Sequence, residues 1–154
     1  MNRADATTIL EAIATEDAEI PADALRRLGS DDALAVVLSA LVDALDMKYE
    51  GEVEDERLLT VFAAELRRKY PDAAALADTE DVTAVLRGGL GDYDEFDAID
   101  GDDLFDISML VIRSIITERF LGPIDLAAFC KEAIDSAADT EDEDAAEDAT
   151  VSAD

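Results

Sequence analysis

The stretch from Ser30 to Leu45 restricts the fold more than any other part of the chain. Leu34, Val37, Leu38, Leu41, Val42 and Leu45 recur at the steps of three and four that place them on one helix face. Ala33, Ala35, Val36, Ala40 and Ala44 make the opposite face nearly apolar as well. A helix apolar almost all round has no face to offer water, so other elements must surround it. With 154 residues the chain can build one such core. The surrounding helices have to be found in the rest of the sequence.

Residues 5–16 carry Ile9, Leu10, Ala12 and Ile13 and predict a short helix. Pro21, at a first helical position, opens a second helix with Leu25 and Leu28, and Gly29 stops it. Ser30 is then the expected N-cap of the central helix, with Asp31 and Asp32 in its first turn. Gly51 marks a break, after which an acidic stretch leads into Leu58, Leu59, Phe62, Leu66 and Tyr70, before Pro71. Thr79 is the expected N-cap of a helix reaching about Leu86, ended by Gly88-Gly89-Leu90-Gly91.

The stretch Leu104–Leu121 is the most apolar in the chain. Its run Ile107–Ile112 is rich in β-branched residues and reads locally as a strand. Length without Gly or Pro, and Phe105, Met109, Ile112, Ile116 and Phe120 at helical steps, decide for a helix. Gly122 closes it, and Pro123 opens a last helix with the narrow stripe Leu126, Phe129, Cys130, Ala133 and Ile134. Phe62, Phe105, Phe120 and Phe129 are the expected large pieces of the core. From Ala138 the pattern stops, and eight acids without a base predict a disordered tail over 138–154. The expected fold is all-α: a single orthogonal helical domain of six or seven helices over residues 1–137. Its central pair is Leu34–Leu45 and Leu104–Leu121.

Charge limits function more than fold. Forty acids face twelve bases, for a net charge of −28, and there is no His. Taking the tail's eight carboxylates from forty leaves thirty-two against twelve, so the body alone stands at −20. Three readings fit: adaptation to high salt, mimicry of nucleic-acid phosphates, and cation binding. The acids run through nearly every segment, which favours salt adaptation. The Debye length falls from about 10 Å at 0.1 M to about 3 Å at 1 M, so concentrated salt relieves such self-repulsion. Direct nucleic-acid binding is disfavoured, because phosphates need clustered Lys and Arg. The one basic cluster, Arg67-Arg68-Lys69, ends a predicted helix and suits its dipole. No apolar run reaches membrane-spanning length, and no cationic start leads into an apolar stretch. The expectation is a soluble cytoplasmic protein with no membrane partner.

Without His, the Ser-His-Asp and Cys-His arrangements and His-based metal sites are absent. Cys130, the single cysteine, sits on an apolar stripe and reads as a small buried hydrophobe. The glycine run precedes Asp92 and Asp94, whose charge would repel a phosphate. The acidic loop 92–106 remains the candidate site: Asp92, Asp94, Glu95, Asp97, Asp100, Asp102 and Asp103 form a possible partner or weak cation surface. It does not fit an EF-hand, since counting back from Gly101 puts Phe96 and Ala98 where acids belong. Asp92-Tyr93-Asp94 matches an Asp-x-Asp metal pair, but glycines precede it rather than a buried strand. No catalytic, cofactor or metal residue is expected, and no acid–base carboxylate pair can be singled out among so many.

The segment Ala40–Glu65, with Tyr49-Glu50-Gly51-Glu52-Val53-Glu54-Asp55-Glu56-Arg57 between two apolar helices, resembles the turn of TerB-type, tellurite-resistance-associated helical domains. Lys48 and Tyr49 depart from the small or acidic residues found there in that family, and the resemblance implies no site. The expected function is a non-catalytic, salt-adapted helical interaction protein that binds a protein partner, possibly one with a basic surface. The alternatives are an inhibitor or immunity-type nucleic-acid mimic that blocks a basic surface, and a carboxylate-based divalent-metal enzyme or cation-binding protein.

Overall fold

In the computed structural model, α3 (Ser30–Tyr49) lies at the centre, in contact with α1 (Arg3–Ala14), α2 (Ala22–Leu28), α5 (Thr79–Gly89), α6 (Gly101–Arg119) and α7 (Pro123–Ser152). α4 (Arg57–Lys69) packs on α5 and α6 from outside. Short 3₁₀ turns occupy Ala74–Leu76 and Tyr93–Ala98. The structure describes residues 1–15, 18–50, 55–119 and 122–152, with side chains as far as Asp139 except Pro123. Among them the fold is all-α, with no strand.

The most extensive interface joins α3 to α6, the pair the apolar patterns single out. Val36, Val37, Ala40, Leu41, Ala44 and Leu45 are completely buried, as are Ile107, Val111 and Ile112 of α6. Each Leu or Ile so enclosed contributes about 1.5–3 kcal/mol relative to exposure. Two polar residues interrupt α3 between Ala33 and Leu45. One of them, Ser39, donates its hydroxyl to the carbonyl of Ala133 at 2.7 Å and pins α7 in place.

Polar clamps hold α1. The Arg113 guanidinium of α6 donates to the carbonyls of Ile13 (2.9 Å), Ala12 (3.2 Å) and Ala18 (2.9 Å). The last carbonyls of a helix lack partners within it, and a cation there also suits the dipole. At the other end Asn2 caps α1 by accepting from the Asp5 amide at 3.2 Å. Asp5, almost fully buried, accepts from Arg27 of α2 at 2.9 and 3.1 Å. That guanidinium holds the Asp5 carboxyl below the usual carboxylate range.

Several local expectations are corrected. Gly29, at φ 89°, serves as both C-cap of α2 and N-cap of α3, so Ser30 lies inside the helix without capping it. The N-cap of α5 is Asp78 rather than Thr79, and its carboxylate accepts from the amides of Glu80 and Asp81. Pro21 caps α2 from just outside. Phe105 is only partly buried, while Phe62 and Phe129 are core residues; Phe120 and the Gly51 break lie outside the described residues. The stretch 92–106 is no loop: it forms the 3₁₀ turn Tyr93–Ala98 and then the first turns of α6, which starts at Gly101. At the C-terminus α7 extends to Ser152, and Ala137 is its last core residue among those whose side chains are described. The expected tail 138–154 falls mostly on residues whose side chains lie outside the described set.

Gly88 and Gly89 do not terminate α5 but complete its last turn, and both are buried. A Cβ at Gly88 would sit 2.4 Å from the Phe96 ring, and one at Gly89 would sit 2.4 Å from Leu45 Cδ1 and 3.2 Å from Leu41 Cγ. The chain reverses after them, at Gly91, where φ is 126°. The two glycines therefore let α5 approach α3 and the 3₁₀ turn more closely than any side chain would. Phe96 is half-buried and can shift, whereas Leu41 and Leu45 are locked in the core. We expect Gly89→Ala to lower unfolding free energy by about 1–3 kcal/mol in urea titrations at constant KCl, with Gly88→Ala milder. A neutral Gly89→Ala would show that the α3–α5 approach has slack.

Candidate functional site

The carboxylates singled out from the sequence form a ridge, not a cage. Asp92, Asp94 and Asp97 are exposed along the 3₁₀ turn, and Asp100, Asp102 and Asp103 continue at the start of α6. Phe96 anchors the turn by packing on Gly88, and the Ile99 amide donates to the Phe96 carbonyl at 3.2 Å. Asp102 and Asp103 also suit the positive end of the α6 dipole. Glu95 departs from the group: it is half-buried and paired with Arg87 at 3.5 Å.

The ridge extends onto α5, which sequence spacing did not reveal. Asp81 is pushed above the usual carboxylate range by burial, then by Asp78, Asp103 and Glu80, which puts the starts of α5 and α6 side by side. Asp106 is raised likewise, by burial and then by Asp102 and Asp103. Like charges without an interposed base disfavour full ionisation. Among the described residues, no group of three or more Asp, Glu or Cys side chains is placed to hold a metal ion. The ridge thus offers a charged face rather than a coordination pocket.

Asp43 was also missed. It faces a cavity of about 170 Å³ lined by Asp46, Gly89, Leu90, Gly91 and Tyr93. Its Oδ2 is buried without a hydrogen-bond partner among the described residues. Burial first, then Glu132 and Asp46, push its carboxyl up to about 6. The available signal was a lone Asp in an otherwise apolar run. Cys130 is buried, and its thiol is pushed up to about 11 by burial and by Glu11, so thiolate is scarce at neutral pH.

No family model, curated protein or solved structure matches the chain. The likeness of Ala40–Glu65 to TerB-type turns gains no support from these comparisons, and its residues 51–54 lie outside the described set. No helix among the described residues is long and apolar enough to cross a membrane.

Because Asp43 binds its proton more tightly folded than unfolded, it stabilises the fold when protonated. That stability is complete below pH 3.8 and is lost as pH rises through about 6. Partial exposure lets water screen the charge, so Asp43→Asn should stabilise the protein by about 1–2 kcal/mol at pH 7. The gain should vanish near pH 4 in urea titrations at fixed KCl. A gain that persists at pH 4 would mean that packing, not charge, is responsible.

Proposed function

We propose that the protein is a non-catalytic, salt-adapted interaction protein that presents a rigid carboxylate face to a protein partner with a basic surface. The observation carrying this reading is the ridge. Asp92, Asp94, Asp97, Asp100, Asp102 and Asp103 are all exposed on short, anchored elements beside the acidic start of α5. Such a face steers a basic partner and fixes its orientation more than it adds raw affinity. The outward spread of charge over a core of aliphatic side chains fits a protein that works in concentrated salt.

A second reading uses the same ridge. Carboxylates spaced along a helix start and the adjoining turn resemble phosphates in charge, so the partner's basic surface would be one that otherwise holds nucleic acid. Competition separates the two readings. Duplex DNA should displace a partner engaged through a nucleic-acid-binding surface, and should leave any other partner in place.

Two measurements test the main proposal. Capture by the immobilised protein at matched KCl is compared with that by the variant Asp92→Asn, Asp94→Asn, Asp97→Asn, Asp100→Asn. The wild type should retain a basic partner that the variant loses, and equal retention removes the ridge from the account. Thermal melts between 0.1 M and molar KCl test the salt part, with Tm expected to rise as screening shortens the Debye length from about 10 to about 3 Å. A flat Tm would falsify the salt adaptation.

A further inference from the structure

On a different surface the polarity is reversed. Arg67, Arg68 and Lys69, at the end of α4, are exposed, and none makes an ion pair among the described residues. Most other bases are paired, as Arg27 with Asp5, Arg57 with Asp55 and Arg87 with Glu56 and Glu95, while Arg113 and Arg119 are committed to backbone carbonyls. Within the cluster, Arg67 and Lys69 donate to the hydroxyls of Thr79 and Thr117, at 3.1 and 3.0 Å, and Lys69 lies over the Tyr70 ring, all neutral partners that leave the charge unbalanced. Three adjacent uncompensated cations stand out in a chain with forty acids.

The cluster adjoins apolar surface. Arg67 and Arg68 edge a cleft of about 490 Å³ whose walls include Ala64, Tyr70, Pro71, Ala74 and Leu76, with Asp72 the one acid lining it among the described residues. Leading towards it along α4, Leu58 and Val61 are 48% and 54% exposed. Leu58, Val61, Ala64 and Arg68 follow one another at steps of three and four, so one outward stripe runs from apolar residues to cations, interrupted by the single exposed acid Glu65 beside Val61. At 1.5 Å per residue this stripe is about 15 Å long, some three turns of a facing helix.

We propose that this face of α4 and its cleft dock an acidic amphipathic helix of a partner protein, apolar residues on Leu58, Val61 and Ala64, carboxylates on Arg67 and Arg68. Charge complementarity selects this occupant. An acidic helix is repelled by most of a body at −28 and attracted at this cluster, so the cations set both location and direction of docking. Guanidinium groups suit the role because they grip carboxylates with paired hydrogen bonds. This surface is separate from the carboxylate ridge and does not depend on it.

The probe is a fluorescent synthetic helix of about sixteen residues, with Leu and Ala on one face and Glu on the other, titrated into the full chain by anisotropy at matched KCl. Saturable one-to-one binding is expected. Arg67→Glu with Arg68→Glu should weaken it about tenfold or more, and so should Leu58→Ser with Val61→Ser. The exposed Arg26→Glu alters overall charge elsewhere and should have little effect. If the double Arg variant does not fold, Arg68→Glu alone serves, since the exposed Arg68 side chain makes no hydrogen bond or ion pair among the described residues. Absence of saturable binding overturns the proposal, as does equal weakening by Arg26→Glu. It is overturned too if a peptide of residues 138–154 binds this face more tightly and the chain self-associates through it, because the occupant is then a second copy.

Discussion

Burial of α3 on all sides is the constraint from which the architecture follows. A helix with apolar residues around its whole circumference gains stability only when several neighbours cover it at once. α6 and α7 cover most of it, α1 and α2 lie across further parts, and α5 comes in at the C-terminal half through its paired glycines. α4 then packs mainly on this shell, meeting α3 only near its end, where the Phe62 ring stands edge-on to Tyr49 and under Lys48. Its outward stripe is left uncovered for that reason, since the second layer has no third layer above it.

The same burial sorts the carboxylates into kinds. Most lie on outward faces or in first helical turns, where water, salt and the dipole accommodate them. Two lie deeper and titrate in opposite senses. Asp5 meets a guanidinium and is held below its ordinary range, whereas Asp43 is held above it by burial first and by nearby carboxylates second. An acidic protein of this type is therefore not uniformly relieved by added protons: acid weakens the α1–α2 clamp while it eases the α3 interior.

The sequence made the helices legible because periodicity reports burial over many residues at once. It made their ends less legible. Ser30 and Thr79 are good capping residues by type, but Gly29 and Asp78 take the role, because a cap is fixed by the local backbone and by one hydrogen bond. The glycine run was misread as a stop because its role lies in the closeness of Phe96 and Leu45, which are distant in sequence. Composition marks the acidic stretch, yet its partition into a 3₁₀ turn and a helix start is hidden by its uniform polarity. Ser39 and Asp43 were the visible interruptions of the central apolar helix. One bonds the α7 backbone and the other leaves a buried oxygen, Asp43 Oδ2, without a hydrogen-bond partner among the described residues, a difference that only the packed structure reveals.

The Arg113 clamp bears on the order in which the molecule is completed. The carbonyls at the end of α1 are satisfied by a side chain about a hundred positions further along the chain. While α1 is alone, the Thr15 amide reaches only the Ala12 carbonyl and leaves that of Ile13 to water, and isolated helices of this length are marginal. The first helix of the sequence is thus finished by one of the last. Its docking closes the loop between residues 13 and 113, a contact whose entropic cost is shared with the α3–α6 core that brings the same stretches of chain together.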